Sequence, residues 1–401
     1  MSEWKKVRLG EICERVTSGG TPKANVSSYY NPPTIPWLKT KEVNYCRITE
    51  TENYISEEGL KNSSAKLISP NSVIIAMYGQ GDTAGRIAIN KIPLATNQAC
   101  CNLTIDKSKA DYEFIYYQLC TLYDKLVSLK AGAAQPNLNA RIIKNLEIIM
   151  PSLPIQHRIA SILSRYDSLI ENYQKQIKLL GEAAQRLYKE WFIDLHFPGH
   201  ENTNIIDGVP EGWEKQKVNS IIELQSGFAF KSSTFDDNGA YKIVTIKNVK
   251  DGAFDGDNVS RIVAIPEKMP KHCVLADGDI LLSLTGNVGR VCIVNGKNYL
   301  LNQRVAKLAT DFKAFTYCLF RSREMFIEIN NLANGAAQQN VSPIKIGEMK
   351  ILLPNNKLLQ EFESIVFKSI ARIISLQSQL RLLTEARDRL LPKLMSGEIT
   401  I

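Results

Sequence analysis

Two long segments of the sequence place apolar residues at alternating steps of three and four positions. This spacing puts the apolar side chains on one face of an α-helix and is typical of paired, coiled-coil helices. The predicted helix-pair interface consists of Ile159, Ile162, Tyr166, Leu169, Leu180 and Leu187 in the first segment, and Phe362, Ile365, Leu376, Leu383 and Leu390 in the second.

The first predicted helix is too long to be covered by one domain. At ~1.5 Å per residue, a helix over residues 155 to 191 would be roughly 50 Å long, which exceeds the diameter of a small domain. We therefore expect the second long helix to pack against it as an antiparallel partner; the alternative is two core helices in separate domains. Pro154 suits a first helical turn, Asn355 or Asn356 can cap the second helix, and Pro392 should end or kink it.

The rest of the chain is a repeat. Residues 132–137 have the sequence Gly-Ala-Ala-Gln-Pro-Asn, residues 335–340 have Gly-Ala-Ala-Gln-Gln-Asn, and the proline at position 151 recurs at position 354. Both pairs are 203 positions apart (335 − 132 and 354 − 151), far beyond the ~20–50 residues of a solenoid period. The repeat therefore predicts a whole domain, with its helix, that occurs twice.

Each copy shows short β-like runs broken by turn residues, with helical segments near residues 112–129 and 312–330. The predicted fold class is α+β: two similar mixed domains separated by two long antiparallel helices that form a coiled coil with pseudo-twofold symmetry. The predicted boundaries are residues 1–153 for the first domain, 154–196 for the first long helix, 197–354 for a linker and the second domain, and 355–401 for the second long helix.

Composition narrows the class of protein. A chain of 401 residues with 44% hydrophobic content has room for two or three globular domains. Its apolar runs are shorter than the ~18 residues of a spanning helix, and its N-terminus lacks a signal-like stretch. Eight scattered cysteines without a Cys-x-x-Cys pair indicate a reduced, cytoplasmic protein. The net charge of +8 permits a nucleic-acid partner but adds little weight alone.

The residues that close the long helices resemble a known family. Residues 187–192 (Leu-Tyr-Lys-Glu-Trp-Phe), followed by Phe-Pro-Gly at 197–199, are similar to the end of the central helix in type I restriction–modification specificity subunits. Residues 390–399 are similar to the C-terminal end of that family, and so is the Pro-x-Leu-Pro motif that begins at Pro151, with Gln156 and Ile159. The second junction departs from the pattern, because Asn355 and Asn356 follow Pro354 in place of a second proline pair.

This resemblance covers essentially the whole chain and implies a non-catalytic subunit that carries no cofactor. Each domain would be a target recognition domain that reads one half of a bipartite, asymmetric site on double-stranded DNA. The two helices would fix the unread spacer and dock two methyltransferase (modification) subunits. Restriction or translocase subunits can join that core.

Base edges are read by side chains that match them: Arg or Lys for guanine, and Asn or Gln for adenine. Such residues fall in the predicted turns of both domains. The DNA-binding candidates are Lys39, Lys41, Tyr78, Gln80, Arg86, Asn97 and Gln98 in the first domain, and Lys247, Asn248, Thr285, Asn287, Arg290, Asn302, Gln303 and Arg304 in the second. The alternative role of each is that of a turn partner.

Polar residues that recur in both copies are a separate case. Two domains that read different half-sites should differ at the reading positions, so shared residues are expected to be structural or to position phosphates. These shared residues are Gln135, Asn137, Asn139, Gln338 and Asn340.

Two other function classes remain open. The segment at residues 31–34, Asn-Pro-Pro-Thr, resembles the Asn-Pro-Pro-aromatic motif of amino-methyltransferases, but its fourth residue is threonine. A self-contained adenine-specific methyltransferase or nuclease fusion would bind S-adenosylmethionine by itself. A coiled-coil scaffold without DNA specificity would show no sequence preference even with its partners. His196 and His200 lack an evident third ligand, so no metal is expected.

Overall fold

The computed structural model describes residues 4–130, 137–257, 259–333 and 339–401. The chain divides into two compact units, of which unit 1 comprises Met1–Leu169 with Thr384–Ile401, and unit 2 comprises Ile170–Leu383. The repeated segments at residues 132–136 and 335–338, including Gln135 and Gln338, lie outside the described residues.

Unit 1 contains two sheets and a two-stranded ribbon. Its main sheet is antiparallel except at the last pair and has the strand order Cys13–Ser18, Cys100–Ile105, Val73–Ala76, Ile87–Asn90, Cys46–Ile48. Its second sheet has the order Tyr54–Ile55, Ile35–Leu38, Leu94–Thr96, Leu67–Ile68, with a parallel central pair. The ribbon pairs Lys5–Arg8 with Glu147–Met150. The short α-helices are Glu57–Lys61, Tyr112–Thr121, Tyr123–Ser128 and Ala140–Lys144.

Unit 2 repeats this topology except for the fifth strand of the main sheet. Its main sheet has the strand order Glu223–Ser226, Val305–Ala309, Ile280–Ser283, Val291–Ile293. Its second sheet has the order Ser260–Ile262, Tyr241–Val244, Tyr299–Leu301, Val274–Leu275, again with a parallel central pair. The ribbon pairs Glu214–Lys217 with Lys350–Leu353, and smaller hairpins pair Ile205–Ile206 with Val209–Pro210 and Val249–Lys250 with Ala253–Phe254. The short α-helices are Lys313–Phe320, Arg323–Ala333 and Pro343–Gly347.

Two long helices, Leu153–Tyr188 and Asn356–Ser396, each contribute residues to both units. The first begins with Pro154 in its first turn, and the side chain of Asn355 caps the second by accepting from the Leu358 N–H at 3.0 Å. The predicted fold class is therefore confirmed: the chain is α+β, with two similar mixed domains and two long helices.

Each unit needs both long helices to complete its core. In unit 1, Leu163 of the first helix and Leu394 of the second belong to the same buried cluster. In unit 2, Tyr188 of the first helix shares a buried cluster with Phe362 and Val366 of the second. The start of one helix thus lies with the end of the other inside each unit, which is the order of contacts found in an antiparallel pair.

Aromatic rings dominate the helix contact of unit 2. Phe362 has no exposed surface, and its ring centroid lies 4.9 Å from that of Phe192, 5.6 Å from that of Trp191 and 6.2 Å from that of Tyr188. All three contacts are edge-to-face, the arrangement that aromatic quadrupoles favour. The first long helix therefore ends on a packed aromatic cluster.

At two positions, the residues that the long helices bury are not the ones predicted for the helix-pair interface. Leu169 is 44% exposed and Ile365 is 46% exposed, whereas the neighbouring Ile170 and Val366 are buried. An α-helix has 3.6 residues per turn, so a strict three-and-four count drifts away from the buried face. Of the other predicted positions, three are buried: Ile159, Phe362 and Leu376. The remaining ones are half-buried: Ile162, Tyr166, Leu180, Leu187, Leu383 and Leu390.

Three segments show local detail that differs from the predicted pattern or adds to it. Pro392 does not end the second long helix, which continues to Ser396. The helical segment predicted near residues 112–129 is two helices separated at Leu122, and the segment predicted as a linker contains the hairpin of Ile205–Ile206 and Val209–Pro210.

The observed stripe predicts unequal effects of truncation at two neighbouring positions. Phe362→Ala should lower the free energy of unfolding by about 3–5 kcal/mol, because it leaves a cavity among the rings around it. Ile365→Ala, three residues away on the exposed face, should change stability by no more than about 0.5 kcal/mol. Urea unfolding of the purified chain, followed by tryptophan fluorescence and circular dichroism, measures both. An equal loss of unfolding free energy in the two variants would mean that Ile365 is buried in the helix-pair interface, as the three-and-four spacing predicted.

Candidate nucleic-acid interface

All fifteen DNA-binding candidates lie in loops at neighbouring strand ends. We call these loops the loop cluster of each unit. The loop cluster of unit 1 consists of residues 39–42, 77–86 and 97–99. The loop cluster of unit 2 consists of residues 245–248, 284–290 and 302–304.

Three backbone hydrogen bonds hold the loop cluster of unit 1 together. The Asn97 N–H donates to the Leu38 carbonyl at 3.0 Å, and the Met77 N–H donates to the Ala99 carbonyl at 2.7 Å. The Leu138 N–H then donates to the Met77 carbonyl at 3.0 Å. These bonds pair backbone N–H and C=O groups of each loop with those of a neighbouring segment. The three loops therefore form one surface.

The same three bonds recur in unit 2. The Asn302 N–H donates to the Val244 carbonyl at 3.1 Å, and the Leu284 N–H donates to the Arg304 carbonyl at 3.0 Å. The Val341 N–H donates to the Leu284 carbonyl at 3.0 Å. Both units therefore present their outward side chains from the same backbone arrangement.

A close backbone approach in each cluster requires glycine, and sequence reasoning did not assign it a role. A Cβ at Gly19 would lie 2.2 Å from the carbonyl oxygen of Thr96, and one at Gly227 would lie 2.2 Å from the carbonyl oxygen of Asn302. Any larger residue would push the loop 97–99 or 302–304 out of place. The repeated Ser-Gly pair before each loop cluster was the signal that could have identified these positions.

In unit 1 the cations of the cluster have partners. Lys39 Nζ lies 2.9 Å from Asn53 Oδ1 and over the ring of Trp37. Lys41 forms an exposed ion pair with Glu52, the kind of surface contact that contributes only ~0–1 kcal/mol and exchanges easily. A cation in such a pair can contact DNA only by leaving its present partner.

Arg86 is the most firmly held of the unit 1 candidates. Its Nη2 lies 2.6 Å from Asp82 Oδ1 and its Nη1 donates to Asn44 Oδ1 at 3.0 Å. Because it links two loops, Arg86 fits a role in shaping the surface. Gln80 is exposed at the tip of the same loop, and the half-buried Tyr78 has a pKa raised by burial, so its hydroxyl stays protonated as a donor.

In unit 2 five of the eight candidates line two adjoining depressions. The first holds Lys247, Asn302, Gln303 and Arg304 together with the acidic Asp237 and Asp257. Gln303 and Arg304 also line the second, with Thr285 and with three residues that sequence reasoning missed or placed elsewhere: Ser226, Asn340 and Ser342. Gln303 and Arg304 are exposed and stand where the two depressions meet. Asn287 is exposed and Arg290 is half-buried on the loop 284–290.

Asn248 requires a correction. Its side chain is 1% exposed, and its Oδ1 accepts from the Thr245 N–H at 2.8 Å, while its Nδ2 donates to the Asp255 carbonyl. The matching residue of unit 1, Glu42, accepts from the Lys39 N–H in the same way at 3.1 Å. Asn248 therefore closes a turn and does not reach the surface to read a base.

Thr285 is also poorly placed for reading. It is 6% exposed, and its hydroxyl donates to Asn340 Oδ1 at 2.9 Å. This contact ties the loop 284–290 to the segment after residue 338. Asn340 thus has a structural contact, as expected for a residue shared by both copies.

The asparagines that begin the loops 97–99 and 302–304 turn back on their own loops. Asn97 Oδ1 accepts a weak hydrogen bond from Cys100 Sγ, and Asn302 Oδ1 accepts from the Arg304 N–H at 3.4 Å. Gln98 Oε1 accepts from the Thr21 hydroxyl. The side chain at position 99 of unit 1 is alanine, whereas the matching position 304 of unit 2 is arginine. The two clusters therefore differ at this position, where Ala99 is buried and Arg304 is exposed.

Three further observations bear on other classes of function. Among the described residues, no group of three or more His, Cys, Asp and Glu is placed to hold a metal ion. The rings of His196 and His200 lie 5.3 Å apart, and residues 31–34 form an exposed loop. None of the helices in the described ranges combines the length and apolar character that a membrane span needs.

Comparison with known proteins identifies the family. The model of the type I restriction modification DNA specificity domain matches residues 1–180 and again residues 210–382. The chain belongs to this family. It is a specificity subunit of a type I restriction–modification system, which confirms the expectation of a non-catalytic subunit that serves in DNA recognition.

Relatives of this specificity subunit are similar to it over nearly their full length. The type I restriction enzyme MjaIX specificity subunit of Methanocaldococcus jannaschii is 29% identical over 417 residues, which cover 100% of this chain and 94% of the relative. The MjaVIII specificity subunit of the same organism is 28% identical over 422 residues, covering 100% and 93%.

A solved structure shares the fold. The crystal structure of a type I restriction–modification S subunit from M. genitalium matches with a TM-score of 0.67 at 18% identity, covering 98% of this chain and 96% of that one. The duplicated arrangement of unit 1 and unit 2 therefore belongs to an architecture already seen in a specificity subunit.

The exposed position of Arg304 predicts a localised loss of specificity. Arg304→Ala should cost about 1–3 kcal/mol in binding of the preferred DNA site and relax discrimination at one base pair. Titrations of duplexes that differ at single positions, at fixed salt and with the partner subunits present, measure this. Lys297→Ala, at the opposite end of the strand Tyr299–Leu301, is the matched control and should leave discrimination unchanged.

Asn248→Ala is the contrasting variant in the same cluster. It removes a buried acceptor and should lower stability by about 1–3 kcal/mol without changing the ratio of affinities between sites. A one-position loss of discrimination in Asn248→Ala, with none in Arg304→Ala, would reverse the two roles.

Proposed function

We propose that this specificity subunit reads a bipartite, asymmetric site on double-stranded DNA, with the loop cluster of unit 1 on one half-site and that of unit 2 on the other. The observation that carries the proposal is the repeated set of three backbone hydrogen bonds. Two surfaces built alike can approach two duplex segments in the same way, and their different side chains then select different bases.

Differences between matching side chains of the two loop clusters support different half-sites. Matching positions pair Ala99 with Arg304 and Lys39 with Thr245. Arginine suits guanine, while alanine and threonine offer only apolar or single hydrogen-bond contacts. The exposed residues Gln80, Gln98, Lys247, Asn287, Gln303 and Arg304 are therefore the proposed base or phosphate contacts, with Lys39, Lys41, Tyr78, Arg86, Asn97, Arg290 and Asn302 as supporting positions.

The long helices are proposed to set the unread spacer and to dock two methyltransferase subunits, with restriction subunits joining that complex. Helices of 36 and 41 residues are about 54 Å and 60 Å long at ~1.5 Å per residue. These lengths exceed the ~34–36 Å of one duplex turn. Because each helix is continuous and enters both cores, its length is a fixed quantity to which a spacer can correspond.

Selection from random duplexes tests the function directly. The chain is co-expressed with its methyltransferase subunit, and bound duplexes are recovered and sequenced. We expect a two-part motif with a constant gap. A scaffold protein would recover no motif, and a self-contained methyltransferase would bind S-adenosylmethionine as the isolated chain in calorimetry; either result would overturn the proposal.

Shortening a helix should change the spacer. Deleting seven residues from the middle of the first long helix removes about 10 Å of rise, or roughly three base pairs of duplex. Recognition at the original gap should be lost or shifted to a shorter gap, as measured by binding to a series of duplexes that differ only in gap length. An unchanged gap preference would show that the helices do not determine it.

A further inference from the structure

A buried ionic network joins the main sheet of unit 1 to both long helices. Arg47, in the strand Cys46–Ile48, donates from Nη1 to Asp167 Oδ2 at 2.8 Å, and Asp167 lies on the first long helix. Arg387 of the second long helix donates from Nη1 to Asp167 Oδ1 at 2.9 Å. The side chains of Arg47 and Asp167 are each 7% exposed. One carboxylate therefore contacts the sheet and the partner helix at once.

The short helix Tyr112–Thr121 completes the network. Tyr117 donates its hydroxyl hydrogen to Asp167 Oδ2 and accepts from Arg47 Nη2 at 2.9 Å, and Glu113 forms an ion pair with Arg47. Burial alone would favour the neutral acid, but hydrogen bonds from Tyr117, Arg47 and Arg387 lower the pKa of Asp167. Asp167 therefore stays ionised, and its bonds are charge-assisted and directional.

Unit 2 has apolar residues at the matching positions. With the offset of 203 residues, Ile370 of unit 2 is the position that matches Asp167, and Ala184 of unit 2 is the position that matches Arg387. Ile370 and Ala184 are both buried. The Tyr45 N–H donates to the Ile87 carbonyl, as the Gly252 N–H donates to the Val291 carbonyl, both at 2.8 Å. Tyr45 therefore matches Gly252, and two residues further along the chain Arg47 matches Phe254. These three positions of unit 2 are therefore apolar, although Phe254 lies in a separate hairpin and not in the main sheet. Unit 2 has a different ion pair, Arg321 with Asp251, and neither partner lies on a long helix.

Stability alone does not account for the network. A buried ion pair contributes little more than apolar residues of similar volume, because desolvation offsets the attraction between the charges. Its best-attested role is to select one geometry among several that apolar packing would tolerate. Unit 2 shows that apolar residues at these positions are a workable solution in this chain, so the ionic alternative in unit 1 calls for a geometric reason.

The network lies on the strands that carry the loop cluster of unit 1. Arg47 sits opposite Ile89 in the parallel pair of Cys46–Ile48 with Ile87–Asn90. The strand Ile87–Asn90 follows the loop 77–86, and Arg86 of that loop donates to Asn44, which precedes Cys46–Ile48. A rotation of these strands on the long helices would therefore move the reading surface.

We infer that Asp167 is a positioning residue: by holding Arg47 and Arg387 together, it fixes the orientation of the unit 1 loop cluster on the long helices and so sharpens discrimination at one half-site. The inference rests on the proposed function, because it needs that loop cluster to read DNA. Apolar packing has no preferred direction about the helix axis, whereas three donors around one carboxylate define a single arrangement.

The experiment compares ratios of affinities, which do not depend on how much of the protein is active. The full chain with its methyltransferase subunit is titrated with the preferred duplex and with duplexes altered at single base pairs in each half-site. The half-site affected by Arg304→Ala is assigned to unit 2, and the other to unit 1. In the unaltered protein, a single mismatch should weaken binding by about 5- to 150-fold.

The variants are Arg387→Ala, Arg387→Lys and Tyr117→Phe, with Arg389→Ala as the control. Arg389 forms an exposed pair with Glu385 on the same helix and does not enter the network. In Arg387→Ala and Tyr117→Phe, mismatch penalties in the unit 1 half-site should fall at least threefold, while those in the unit 2 half-site stay constant. Arg387→Lys should recover part of the loss, and Arg389→Ala should behave as the unaltered protein.

Equal losses in both half-sites, or weaker binding to every duplex with unchanged ratios, would overturn the inference, since a purely structural role predicts that result. Tyr117→Phe keeps the aromatic ring and removes only the hydroxyl, so it still tests the inference if Arg387→Ala fails to fold. If the unaltered complex itself prefers no sequence, the proposed function fails instead, and the two outcomes are distinct.

Discussion

Each of the two cores depends on apolar residues from both long helices. Leu163 and Leu394 belong to the core of unit 1, and Tyr188 and Phe362 belong to that of unit 2. Neither unit can therefore be complete unless both helices run their full course. This constraint links the fold to the proposed function, because a helix that must reach into two cores has a length that cannot change without disturbing at least one of them.

The chain builds the loop clusters of its two units with the same backbone arrangement. The same backbone hydrogen bonds and the same close approach at glycine shape each loop cluster. What differs is the set of side chains, such as the buried alanine at position 99 and the exposed arginine at position 304. Under the proposed function, a change of a few exposed residues can change the base that is read, since the bonds that hold the loops are made by the backbone.

Much of this organisation could be predicted from the sequence, because it depends on periodicity and repetition. The long helices, the duplication and the loops that carry the candidates follow from local patterns. The phase of the buried stripe at Leu169 and Ile365 did not, since a three-and-four count ignores the drift of a real helix. The role of Asn248 was also missed, because polar residues that close a turn and those that read a base have the same composition.

The ionic network of unit 1 is a second feature that could not be predicted from the sequence. Arg47 and Asp167 are 120 positions apart, and Asp167 and Arg387 are 220 positions apart. No local pattern joins residues at such distances, and each of them alone appears as an ordinary charge. Comparison of the two units makes the network stand out, because the matching positions 184 and 370 are apolar.

The central claim is that two similar units read two different halves of one DNA site. Methylome sequencing of cells with and without this gene tests it most directly. The account predicts methylation that depends on the gene and falls at a two-part, asymmetric motif with a constant unread gap. An uninterrupted motif, a motif with two identical halves, or a methylation pattern unaffected by loss of the gene would contradict it.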